Sequence, residues 1–172
     1  MFWCVALCGA ACSCGESRPV PQENRAFETH GVSFLYPDTW HVIADTSAAP
    51  LIVEIELDGP NQSFCDIAVY GDTAQANVLV EETLAQFRDL FAPGREGKVA
   101  PISRTLAEAE AEGVVWSVSS MSGQRVVSIL ATNVHNRAVA VYWQAFAGDL
   151  EHVRREIEPI MRTLRVDALP QR

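Results

Sequence analysis

The chain has 172 residues, of which 48% are hydrophobic and 20% charged, with a formal net charge of −9. That length holds one domain with a real core and hardly two, and the apolar fraction offsets enough ordering entropy to argue against a disordered chain. The excess of acid repels phosphate backbones, which argues against nucleic acid as a partner.

Residues 1–15, MFWCVALCGAACSCG, are apolar and carry no Asp, Glu, Lys or Arg. The run is shorter than the roughly 20 apolar residues of a membrane-spanning helix and fits the apolar core of an export signal. Gly9, Ala10 and Ala11 stand before Cys12, so residues 1–11 read as a signal cut before Cys12, leaving a cysteine that can carry lipid. Two departures from a standard lipoprotein signal accompany this reading: no basic residue precedes the apolar run, and Gly9 stands where Leu is usual. A plain secretory signal and a start lying further upstream are therefore open alternatives. Residues 12–25 become polar and proline-bearing, as a tether between anchor and fold does. The folded domain takes residues 26–166, and 167–172 form a polar tail.

Within the domain, Phe27–His30 and Val32–Tyr36 read as short strands about Gly31, a residue that tolerates the positive φ of a tight turn. Tyr36-Pro37-Asp38-Thr39-Trp40 follows as a turn with Trp40 as a buried anchor. Leu51–Leu57 and Phe64–Tyr70 alternate with period two around Asp58-Gly59-Pro60-Asn61, which predicts a hairpin. From Val78 the period becomes helical, with Val80, Leu84, Phe87 and Phe91 on one stripe and Pro93-Gly94 ending it. Four strands come next, Val99–Glu108, Gly113–Ser120, Arg125–Val134 and Ala138–Phe146. The last three are joined at Ser122-Gly123 and His135-Asn136. Connections this short cannot join parallel strands, so the four form an antiparallel meander. A second helix closes the domain, with Asp149 as N-cap, Leu150, Val153, Ile157, Ile160 and Leu164 as its apolar stripe, and a kink expected at Pro159.

Four of the five cysteines lie in the leader region, and Cys65 alone lies in the body. That is no disulfide scaffold, so the domain depends on its core. Cys65 reads as a buried free thiol in a strand, with a Cys14–Cys65 bridge as the alternative.

The front FETHGVSFLYPDTW, a middle helix, then VVWSVSS, VVSILAT and AVAVYWQAF closed by a helix ending in IMRTLRV together resemble the PsbP-like superfamily. A Gly-x-x-Phe-x-Tyr-Pro-x-x-Trp pattern falls on Gly31, Phe34, Tyr36, Pro37 and Trp40. The group includes a photosystem II subunit, a Ran-binding import factor and bacterial envelope lipoproteins of the DcrB and LpqN kinds. The resemblance implies an α+β fold, a central antiparallel β-sheet flanked by helices as an α/β/α sandwich. It also implies a binding or assembly factor, with no catalytic residue to carry over.

Chemistry is sparse in the sequence. His30, His41, His135 and His152 are isolated from one another, and no Cys-x-x-Cys, Gly-x-Ser-x-Gly or glycine-rich phosphate loop is present outside the leader. Glu108, Glu110 and Glu112 alternate with alanines and would share one face of a strand, but they lack the glycine and spaced Asp/Asn ligands of a calcium loop. They read as a solvated edge. Trp116 and Trp143 read as core, and Tyr142, opposite Trp143 on its strand, either lines a groove or packs under a helix.

The expectation is an exported, lipid-anchored bacterial envelope protein acting as a non-catalytic binding or assembly module. Its site residue is the lipid-bearing Cys12, with no catalytic or metal-binding residue and no cofactor. Its partner is an envelope protein or the membrane surface reached through the lipid. A small-ligand carrier with a pocket between sheet and helices, and a hydrolase with an unrecognised site, are the alternatives.

Overall fold

The computed structural model describes residues 23–47, 51–71, 74–91, 96–120 and 123–168; Cys12 and Cys14 lie outside the described residues. The first hairpin is β1 (Asn24–Thr29) and β2 (Val32–Pro37), so pairing begins before Phe27 and takes in Arg25, opposite Tyr36. Its turn, His30-Gly31, has φ of 45° and 73°, the doubly positive geometry that matches strand twist in a two-residue hairpin. Then come β3 (His41–Thr46), β4 (Leu51–Asp58) and β5 (Phe64–Tyr70). A 3₁₀ turn over Pro60–Gln62 makes the β4–β5 connection, and Gly59 N–H closes it on Ser63 O at 3.0 Å.

Helix α1 spans Ala76–Phe91 and buries Leu79, Val80 and Phe87, while Glu81, Glu82 and Arg88 face water. The meander is β6 (Lys98–Leu106), β7 (Ala109–Ser120), β8 (Gly123–Val134) and β9 (Arg137–Phe146). The strand expected to reach Glu108 stops at Leu106, because Ala107 and Glu108 are themselves the turn, at φ of 49° and 67°. Neither residue favours that conformation, which is why the turn carries no Gly or Asn signature.

Helix α2 spans Leu150–Thr163, running through Pro159, and the chain ends in β10 (Arg165–Val166). Asp149 occupies the N-cap position, and its backbone carbonyl accepts Val153 N–H at 2.9 Å. Its side chain makes no bond to the helix and accepts Asn61 Nδ2 at 3.3 Å instead. Past Pro159, Thr163 Oγ1 donates to the Pro159 carbonyl at 2.6 Å.

The large sheet has the order β3-β4-β5-β9-β8-β7-β6, and the small one β1-β2-β10; every pairing is antiparallel. Alternation puts Val53, Ile55, Cys65, Ile67, Val141 and Trp143 on one face, where β2, Trp40 and the Val153-Ile157-Ile160 stripe of α2 cover them. Trp116, Val127, Ile129 and Ala140 occupy the opposite face beneath α1. The protein is thus a sheet with a helix layer on each face, α+β as the pattern predicts. Cys65 is a free thiol, fully buried in the first of these layers. Burial, and secondarily Asp66, push that thiol well above its usual range.

Candidate functional site

Alternation along LIVEIEL turns Val53, Ile55 and Leu57 toward α2, and therefore Glu54 and Glu56 toward the α1 side. On β5 the same parity presents Phe64, Asp66 and Ala68, and on β9 it presents Ala140, Tyr142 and Gln144. Register then aligns them: Glu56 lies opposite Asp66, and Asp66 opposite Tyr142, one transverse row across three strands. Glu54, one pair along, lies opposite Ala68. α1 packs chiefly on β7, β8 and β9, so this row sits at the helix's flank. The result is a groove of about 330 Å³ with an acidic floor and a wall of Phe87, Leu90 and Phe91.

The three carboxylates bring oxygens within 4.8 Å of one another. Asp66 is the buried member, at 1% exposure, with Glu54 and Glu56 half-buried. Tyr142 donates its hydroxyl hydrogen to Asp66 Oδ2, and Oδ1 is buried. Desolvation pushes the Asp66 carboxyl up to about 8; the Tyr142 bond opposes the shift, and the Glu54 and Glu56 charges and a hydrogen bond shared with Glu54 reinforce it. Burial and then Asp66 hold the Tyr142 hydroxyl well above its ordinary range, and Tyr70 is raised mainly by burial, then by Glu54. Tyr142 also meets Phe87 edge-on, centroids 5.2 Å apart, and Phe64 at 6.2 Å. Both sequence readings of Tyr142 therefore hold, since it packs under the helix and lines the groove.

Arg125 lies at the far end of the same face. Its guanidinium stands over the Phe91 and Phe146 rings, 5.1 Å and 4.7 Å from their centroids, and donates to Gln144 Oε1 at 2.9 Å.

A second groove, of about 530 Å³, runs between α2 and the β6–β7 turn, with Arg104, Arg154, Arg162 and Arg165 along it. Glu151 and Glu108 pair with Arg154 and Arg165 at 2.8 Å and 3.0 Å.

The histidines do not converge. His30 and His135 occupy hairpin turns at positive φ, His41 opens β3, and His152 is exposed on α2, with Nε2 3.5 Å from Glu156. Glu108, in its turn, leaves only Glu110 and Glu112 alternating on β7; Glu110 accepts Ser103 Oγ at 3.3 Å. Trp116 and Trp143 are both core, on opposite faces of the sheet. Glu54, Glu56 and Asp66 were not among the residues singled out for chemistry. One signal was present: Asp66 sits inside FCDIAVY, where both alternation phases are apolar, so its side chain had to be buried.

No protein-family model and no curated protein sequence matches this chain. Solved structures do. Cyanobacterial PsbP (CyanoP) from Synechocystis sp. PCC 6803 superposes at TM-score 0.55 and 12% identity, covering 92% of this chain and 100% of that one. LpqN, involved in cell envelope biogenesis of Mycobacterium tuberculosis, gives 0.52 and 13%, covering 86% of each chain. A point mutant of Mog1 gives 0.55 and 8%, covering 85% of this chain and 97% of the other. At these identities the likeness is one of architecture, and it matches the order of elements read from the sequence: the chain has the PsbP-like fold.

Proposed function

We propose that the protein is an exported binding module of the bacterial cell envelope, held at a membrane by lipid on Cys12, and that it works without catalysis. One observation carries the binding reading. The α1 groove gathers hydrogen-bond acceptors and aromatic rings into one volume at the flank of the helix, a surface to which a partner group can dock. The groove is also open at its rim, where Leu90 is 72% exposed, which favours a partner group reaching in over a carrier enclosing a small ligand. Among the described residues no helix is long and apolar enough to cross a membrane. The envelope role stated for LpqN agrees with that location.

Mass spectrometry of the native N-terminus, with fractionation of Cys12→Ser, tests the anchor. The expected result is an acylated Cys12 and release of the variant from membranes. A mature chain starting elsewhere, or a variant still membrane-held, would overturn it. Assembly function is tested separately by affinity isolation from solubilised membranes, where loss of the partner on substituting Leu90→Glu is expected.

A further inference from the structure

We propose that the groove between α2 and the β6–β7 turn docks an extended acidic segment of a partner protein, in which two carboxylates four residues apart flank an apolar side chain. Arg154 and Arg162 on one wall and Arg104 on the other receive the acids, and Ile157, Met161 and Trp143 receive the apolar group. The proposal deepens the binding reading and rests on it for the partner being a protein. It puts the contact on the opposite face of the sheet from the α1 groove.

Positive charge is concentrated here against the trend of the molecule. The chain has a formal net charge of −9, yet four arginines and only two carboxylates, Glu108 and Glu158, line this groove. Arg154 and Arg165 are paired, with Glu151 and Glu108. Arg104 and Arg162 are exposed and, among the described residues, make no ion pair or side-chain hydrogen bond. Both guanidiniums are open to water, so a carboxylate reaches them without displacing protein, and each offers a fork of donors that fits it bidentately. Charges more than about 8 Å away are largely screened at physiological ionic strength, so the local excess governs what an entering acid meets.

Spacing sets the form of the occupant. Arg154, Glu158 and Arg162 recur every four residues, with Ile157 and Met161 beside them, so this side of α2 carries charge at its rim and apolar surface beneath. From Arg154 to Arg162 the helix rises about 12 Å, at 1.5 Å per residue. That span exceeds the reach of one phosphate or carboxylate. It matches residues four apart in an extended chain, about 13 Å, and there the residue midway points to the same side as both acids. Glu158, between the two arginines, repels a third acid at the midpoint. An apolar side chain at that position instead meets Met161 and Trp143, which are 7% and 6% exposed and form the floor.

A concave site favours a narrow occupant over a flat one. A bilayer of anionic headgroups brought to this face would also meet Glu108, Glu151 and Glu158, all exposed, whereas a single extended chain enters between the walls. β6 is the last strand of the large sheet, so no further strand of that sheet closes the groove on its outer side, and a chain longer than the groove runs out past it. The Arg154–Glu151 pair is an exposed one and contributes little to the free domain, so Arg154 can exchange Glu151 for a partner carboxylate at small cost.

Nuclear magnetic resonance titration of the full chain with the peptide acetyl-Gly-Glu-Ser-Leu-Ser-Glu-Gly-amide tests this. Saturable shifts at Arg104, Arg162 and Trp143 are expected, with affinity falling as salt is added. Replacing both peptide glutamates by Gln, or its Leu by Ser, should each weaken binding by about tenfold or more. Arg104→Gln and Arg162→Gln, both at exposed positions, should each do the same, the scale of one charge-assisted bond. Arg88→Gln makes the same change of charge on the exposed side of α1 and should leave the affinity unaltered. No saturable shift, equal affinity for the Gln peptide, or an Arg88→Gln loss as large as that of Arg162→Gln overturns the proposal. So do phosphatidylglycerol vesicles that bind through Arg104 and Arg162 when the peptide does not. Absence of peptide binding, with partner capture still lost in Leu90→Glu, sinks this groove and leaves the binding module standing. Peptide binding by a chain whose capture is indifferent to Leu90 does the reverse for the α1 groove.

Discussion

Trp40 donates its indole N–H to Glu156 Oε2 at 3.0 Å, joining the turn after β2 to the second turn of α2. Thr39 Oγ1 donates to the other oxygen of the same carboxylate at 3.1 Å. Trp40 is fully buried and Glu156 is 2% exposed, so a polar group stands inside the larger core on the strength of its donors.

Trp40→Phe keeps most of the ring and removes one of the donors to the buried Glu156 carboxyl. The expected loss is about 1–3 kcal/mol, read from chemical denaturation. Equal midpoints for variant and parent would show that the bond contributes nothing net.

Asp66 gives stability a pH dependence of definite sign. Its carboxyl is held up to about 8 in the fold against 3.8 for the free group, so between those values the folded state keeps a proton that the unfolded chain has lost. Stability should fall as pH rises through that window, by at most about 1.4 kcal/mol per pH unit. Asp66→Asn has nothing to ionise at this position. Its melting temperature should exceed the parent's near pH 8 and lose the advantage toward pH 5, and parallel melting curves across the series would contradict the raised value.

Gly113 lies mid-strand on β7, opposite Leu130, where a Cβ would stand 1.8 Å from the Ile129 carbonyl oxygen. The obstacle is backbone, so no rotamer change relieves it. Gly113→Ala should cost about 3 kcal/mol or more, whereas Gly148→Ala, with nothing within 4 Å, should stay within about 0.5 kcal/mol. Thermal melts of the pair decide whether the clash or a general intolerance of alanine is responsible.

Cys65 is a buried thiol packed on β5, so reductant should leave cooperative melting intact. Cys65→Ala removes one buried atom and should cost about 1 kcal/mol. Loss of cooperativity under reducing conditions would instead reveal a bridge to the leader.

The hairpins were legible because their signals are local: alternation, a glycine turn at His30-Gly31, and Asp58 to Asn61 between two apolar runs. Strand β3 was not, because Ile43, its largest apolar residue, points outward at 58% exposure while Val42 and Ala44 are only half-buried. Two-residue β10 has no period at all and exists because β2 offers an edge at Ser33 and Val32. Glu54 and Glu56 were readable as one face of β4, but their meeting with Asp66 is a matter of register, and the roof over them depends on where α1 docks. Neither is written in any window of a dozen residues.

In the large sheet every pairing joins consecutive strands except β5 with β9. Two local meanders, β3 to β5 and β6 to β9, meet along that one seam, and the Tyr142–Asp66 bond bridges it across 76 residues of chain. Closing so long a loop is entropically the costliest step in the sheet, so refolding should be limited by docking of two preformed halves. The ultraviolet absorbance of Tyr142 then becomes a clock for the final event, shifting only when its hydroxyl leaves water. Glu54, Glu56 and Asp66 belong to one half and Tyr142 to the other, so a half-folded chain carries the acids without the hydroxyl that bonds Asp66.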